Sequence, residues 1–150
     1  MAEWTSVARQ VVNPGEAIVF TENTIPCPYG LILHREDSGA FLAKGIPVRN
    51  QVRRCACMGP QIVNYKVSFG ANIAVPEGQT VGPITVAVAV DGNTLLGTEM
   101  EVTPAAVEEF ANVSRCTPVG IWKGCCQTIS VRNTSAIPIA VENANIGIEQ

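Results

Sequence analysis

Charge is scarce in this chain. Only 15% of its 150 residues are Asp, Glu, Lys or Arg, and the formal net charge is −3. The ten basic residues are scattered, so no basic face is offered to a nucleic-acid backbone. The one local cluster is Arg49, Arg53 and Arg54 beside Cys55, which could hold an anion but reads more simply as a solvated loop. Histidine occurs once, at His34, too few for the metal site of a cupin-like enzyme. No apolar run approaches the ~20 residues of a membrane helix. The opening Met1-Ala2-Glu3-Trp4-Thr5-Ser6 lacks the basic-then-apolar order of a secretory signal, so synthesis in the cytosol is expected. Internal repeats, low-complexity tails, Gly-X-Y triplets and a Gly-rich phosphate loop are also absent.

What is present is apolar. Hydrophobic residues make up 47% of the chain, which excludes a disordered segment. A chain of this length buries about two-thirds of its unfolded surface, enough for a core without staples. One domain spanning residues 1–150 is expected.

The apolar residues alternate with polar ones, so the pattern is all-β. Tyr65, Val67, Phe69 and Ala71 share one parity, and Asn64, Lys66 and Ser68 the other, giving a long half-buried strand over 62–75. Ile84 to Val90 is the clearest strand, with Val86, Val88 and Val90 on one face and Ala87 and Ala89 on the other. Asp91-Gly92 after it signals a hairpin. Further strands are expected over 7–12, 17–20, 31–34, 40–43, 98–102 and 113–122. Residues 23–30 read as a loop, and 44–60 as an irregular Cys-containing loop with one short strand near Val48. Thr103 to Phe110 is the one place for a short helix, though a loop or strand fits equally. Gln127 to Arg132 and Ile137 to Ile148, joined by Asn133-Thr134-Ser135, read as a closing β-hairpin with one wet face. No long helices separate the strands, so a βαβ architecture is excluded in favour of a sandwich or jelly roll.

The order of the second half resembles a known group. NYKVSFGANIAV, then VGPITVAVAVDGNTLLGTEM, then KGCCQTISVRNTSAIPIAVENANIGI is similar to the tumour-necrosis-factor/C1q-like jelly rolls of bacteria and their phages. That group includes the head domain of spore-surface collagen-like glycoproteins. Asp91-Gly92 and the stretch Lys123 to Ser135 match its hairpin and penultimate-strand patterns, and the likeness covers residues 61–150. The adjacent cysteines 125 and 126 depart from the usual polar turn. The resemblance implies an antiparallel jelly-roll homotrimer without catalytic residues or cofactor, structural or adhesive in role. A phage capsid decoration or head-fibre protein displayed on the virion is the first expectation, with a capsid protein or a cell-surface glycan as partner. A spore- or cell-surface protein cross-linked through loop cysteines is the alternative, and a small carbohydrate-binding module the second alternative.

The side chains open to chemistry are few. Cys27, Cys55, Cys57, Cys116, Cys125 and Cys126 are read as reduced thiols, as disulfides or cross-links, or as a metal site, although no C-x₂-C knuckle occurs. Cys27 and His34 could be imagined as a nucleophile pair, but a strand-end His with a hydrogen-bond partner is the simpler reading. Glu108-Glu109 reads as an exposed acidic turn. The candidate subunit interface is the Tyr65, Val67, Phe69 face or the small Ala87 and Ala89. Trp4 is either an anchor onto a partner or frayed. Tyr29 and Trp122, with Arg53 and Arg54, are the candidate surface contacts, and the two rings are the only hint of sugar stacking.

Overall fold

The computed structural model describes residues 1–47 and 62–150. Cys55, Cys57, Arg49, Arg53, Arg54 and the short strand expected near Val48 lie outside the described residues, as does the side chain of Cys125.

Two antiparallel sheets face each other. Sheet A runs in the order β10 (Ala111–Trp122), β6 (Ile62–Ala74), β12 (Ile139–Glu149), β1 (Ala2–Ser6), β3 (Glu22–Ile25), with β2 (Gln10–Val12) also on β12. Sheet B runs β4 (Ile32–His34), β5 (Phe41–Gly45), β11 (Gly124–Asn133), β7 (Ile84–Val90), β8 (Asn93–Thr94), with β9 (Met100–Val102) on the other part of β7. This is the jelly-roll sandwich that the alternation predicts.

The core follows from period-2 alternation. On β6, Val63, Tyr65, Val67, Phe69, Ala71 and Ile73 are buried, while Ile62, Asn64, Lys66 and Ser68 are exposed. Ile129 and Val131 of β11 and Ile146 and Ile148 of β12 meet them in one cluster. At its heart Phe41 packs on Trp4 at 4.8 Å, on Phe20 at 5.5 Å and on His34 at 4.4 Å between ring centroids. Each such pair adds roughly 0.5–1.5 kcal/mol beyond the area it buries.

Several expectations are corrected here. The closing pair is no hairpin: β11 pairs with β5 and β7 in sheet B, and β12 pairs with β1, β2 and β6 in sheet A. Asn133-Thr134-Ser135 is nevertheless turn chemistry, because the Ser135 N–H donates to Asn133 Oδ1 at 2.8 Å. It turns the chain from one sheet into the other. Residues 103–110 form turns and no helix. Of the strand expected over 7–12 only Gln10–Val12 forms, as β2, and an unexpected strand, β1, precedes it from Ala2. Trp4 is therefore neither frayed nor an external anchor, since its ring is core at 3% exposure. Residues 22–25 pair as β3 instead of looping, and β5 carries the sheet through Lys44 and Gly45. The 17–20 segment makes only isolated bridges, Ala17 to Arg132 and Phe20 to Ser38.

Candidate functional site

The interface assigned by parity lies in the wrong place. Tyr65, Val67 and Phe69 point between the sheets and are buried within one chain. Ala87 and Ala89 are also fully covered, standing opposite Arg132 and Ser130 on β11. A side chain without surface cannot make a subunit contact, so neither set forms one.

The opposite parity supplies a face. β6, β10 and β12 turn their polar and small residues outward, in register. Ser68 lies opposite Cys116 on one side and Gly147 on the other. Gly70 lies between Ser114 and Asn145, and a Cβ added there would sit 2.8 Å from Asn145 Oδ1. Asn72 faces Asn112, whose amide donates to its Oδ1 at 3.1 Å. Small side chains on three adjacent long strands leave no bulky group here, and a hollow of about 300 Å³ lined in part by Gly70, Asn72, Asn112 and Asn145 opens on the face. Its charged members are Lys66 and Glu149, which stand directly opposite each other, and Glu142, which stands opposite Asn72. A face of small side chains with few charges is suited to packing against another protein surface.

The predicted reactive residues are dispersed. His34 bonds the Ser38 carbonyl through Nε2 at 2.8 Å and stacks on Phe41, and no hydrogen bond joins it to Cys27. Cys27 is a free thiol beside a cleft of about 160 Å³ lined in part by Tyr29, Tyr65 and Gln150. Burial pushes this thiol up, but the backbone N–H groups of Ile32, Tyr29, Leu31 and Gly30 outweigh it and hold the thiol below its ordinary value. Burial raises the Tyr65 phenol, against a hydrogen bond from Gln150 and with a contribution from Cys27. That phenol donates to the Lys44 carbonyl at 2.7 Å. The cradle was not legible beforehand, because backbone amides carry no residue signature. Cys116 is a free, exposed thiol on the outer face of β10, and Ser68 Oγ donates to it at 3.5 Å. Cys126 is half-buried.

Glu108 and Glu109 lie in a turn, as expected. Glu108 accepts from Arg9 and from the Glu77 N–H, and Glu109 accepts from the Ala106 N–H. Tyr29 and Trp122 are exposed, Tyr29 in a loop and Trp122 as the last residue of β10. No group of three or more His, Cys, Asp or Glu among the described residues is placed to hold a metal. No helix among them is long and apolar enough to cross a membrane.

No protein-family model matches the chain, and no curated protein does. Solved structures do. The chain is similar to the globular domain of zebrafish complement 1qA protein, at 7% identity over 95% of this chain and 93% of that one, with a TM-score of 0.51. It is also similar to pika GITRL, at 10% identity over 97% and 95% with a TM-score of 0.42. A third likeness is to the EclA C-terminal domain, a sugar-binding protein, at 14% identity over 83% and 86% with a TM-score of 0.34. At this identity the first likeness speaks for the fold alone, and that fold is the C1q/TNF-like jelly roll.

Proposed function

We propose that this chain is a non-enzymatic, self-associating structural and adhesive protein, built as a homotrimer and displayed on a phage particle as a capsid decoration or head-fibre module. The observation that carries the reading is the outer face of β6, β10 and β12, where the small residues Ser68, Gly70, Ser114, Cys116 and Gly147 stand in register. Such a face suits close packing of one copy on the next. The jelly-roll fold is compatible with this reading, and in the resembling group that fold implies a compact trimer.

The test is the solution mass by size exclusion with light scattering, with and without reductant. The expected result is a mass near three times 15.9 kDa that survives reduction. A stable assembly of this kind buries on the order of 1,000 Å² or more. Ser68→Arg, an exposed position at the centre of the face, should then give a folded monomer. A trimer that dissociates on reduction moves the reading to a cross-linked spore or cell-surface protein. A wild-type monomer in both conditions overturns self-association.

A further inference from the structure

A second feature stands at the open flank of the sandwich, between edge strand β10 and the β7–β8 hairpin. A groove of about 310 Å³ lies there, lined in part by Asp91, Asn93, Leu95, Gly120, Trp122 and Gln127. It is built by short-range chemistry. Asp91 and Gly92 take positive φ angles of 49° and 79°, the pairing that a tight two-residue hairpin turn needs. The turn places the Asp91 carboxylate against the start of β11. Its Oδ1 accepts from the Thr128 N–H at 2.8 Å, and its Oδ2 accepts from Gln127 Nε2 at 2.8 Å. Gln127 Oε1 in turn accepts the Trp122 backbone N–H at 2.9 Å. One continuous network thus fixes the carboxylate, the amide and the end of β10 that bears the indole.

The indole itself is left in water. Trp122 is 60% exposed, whereas Trp4 is 3% exposed. An aromatic ring offers a large apolar face that gains from being covered. Beside it stand an anchored carboxylate and two amides, all solvent-exposed or half-buried and with hydrogen-bonding capacity left over.

We infer that this groove is a carbohydrate-binding site, in which the Trp122 indole covers the apolar face of a neutral pyranose ring and Asp91, Asn93 and Gln127 hold its hydroxyls. A pyranose combines an apolar C–H face with an edge of hydroxyls, and each hydroxyl both donates and accepts. A carboxylate beside amides meets both needs. Among the described residues no Lys, Arg or His lines the groove, so a phosphate or other anion would meet the Asp91 carboxylate. The volume lies at the small end of the roughly 300–1,000 Å³ range of small-ligand clefts, which suits one ring. The Gln127 side chain and the Thr128 N–H hold the Asp91 carboxyl below its ordinary value, so it accepts as an anion at neutral pH. The inference rests on the adhesive part of the proposed function for the nature of its ligand. It does not need the trimer, because one chain supplies the whole lining.

The experiment titrates the full chain with N-acetyl-D-glucosamine, methyl α-D-mannopyranoside, methyl β-D-galactopyranoside and L-fucose. The readout is the two indole N–H signals in a nitrogen-proton correlation spectrum. At least one sugar should shift the Trp122 signal saturably, with a Kd in the millimolar range, and leave Trp4 unmoved. Trp122→Ala should weaken that binding about tenfold or more, Trp122→Phe should keep part of it, and Asn93→Ala should weaken it a few-fold. Silence of the Trp122 signal with all four sugars overturns the inference, and so does saturable binding that Trp122→Ala leaves unchanged. Light scattering on the same samples separates the two readings. A wild-type monomer that binds sugar upholds the groove and sinks self-association. A Trp122→Ala chain that loses mass without any sugar response makes the groove a subunit contact and overturns the inference.

Discussion

The two ends of β11 carry polar networks of opposite kind. At the C-terminal end stands Asn133, 1% exposed. Its Nδ2 donates to the carbonyls of Val12 and Ile137, both at 2.9 Å, and its Oδ1 accepts the Ser135 N–H. Ser135 and Thr134 then tie the corner to Thr85 at the start of β7. Both amide donors of Asn133 are used inside the protein, and its burial keeps the group from any ligand. At the other end, Gln127 and Thr128 bind Asp91 in the open, beside an exposed indole. Similar side chains appear in both places. Burial makes the first a structural post, and exposure leaves the second free to recognise something.

The strongest way to break this contrast is to remove the buried post. Asn133→Ala deletes two donors and one acceptor and strands the Val12 and Ile137 carbonyls. Leaving buried groups unpaired costs roughly 1–3 kcal/mol for each, so a loss of about 2–4 kcal/mol is expected in urea unfolding. A loss below about 1 kcal/mol would mean that the corner is held by its apolar neighbours. Sugar response at the Trp122 indole should persist in the folded fraction of this variant.

A smaller effect is expected from Gly45→Ala, which acts on the exposed end through the backbone. An added Cβ would sit 1.9 Å from the Trp122 carbonyl oxygen and 2.8 Å from its carbonyl carbon. Neither atom can swing aside as a side chain could, so β5 and the end of β10 must separate. The expected outcome is a loss of about 1–3 kcal/mol, as for other overpacked sites, together with a displaced Trp122 indole signal. An unmoved indole signal would show that the groove is built independently of β5.

These two regions also mark what could be read in advance. The alternation of β6 and β7 and the Asp91-Gly92 turn were legible, because period 2 and positive φ are local properties. The Asn133 turn chemistry was legible for the same reason. That β11 and β12 belong to different sheets was not legible, since alternation says which face of a strand is buried and nothing about its neighbour. The link is made by Asn133 reaching Val12, 121 residues away. The same limit misplaced the subunit face: Tyr65, Val67 and Phe69 read as apolar, but their cover comes from the facing sheet of their own chain. Trp122 was legible as a surface ring. Its partner Asp91 was visible only as a turn residue, because Gln127, which accepts the Trp122 N–H, reaches Asp91 across 36 positions.

The smallest effect isolates the charge at the exposed end. Asp91→Asn keeps the shape of the turn residue and removes the carboxylate. The Gln127 amide and the Thr128 N–H favour the ionised form, so the folded-state pKa lies below the unfolded one. A depressed carboxylate contributes stability above its unfolded pKa, near pH 4, and loses it as pH falls through the folded value. The wild type should therefore be slightly more stable than Asp91→Asn at neutral pH, and the difference should fade below about pH 4. Solvent screens this exposed group, so the difference should be the least of the three. A difference that stays constant into acid would place the effect in the turn geometry instead of the charge. Sugar binding is the sharper readout of the same change. A charge-assisted acceptor that holds a hydroxyl at neutral pH should lose affinity over the same acid window, and an amide at position 91 should flatten that dependence without moving the Trp122 ring.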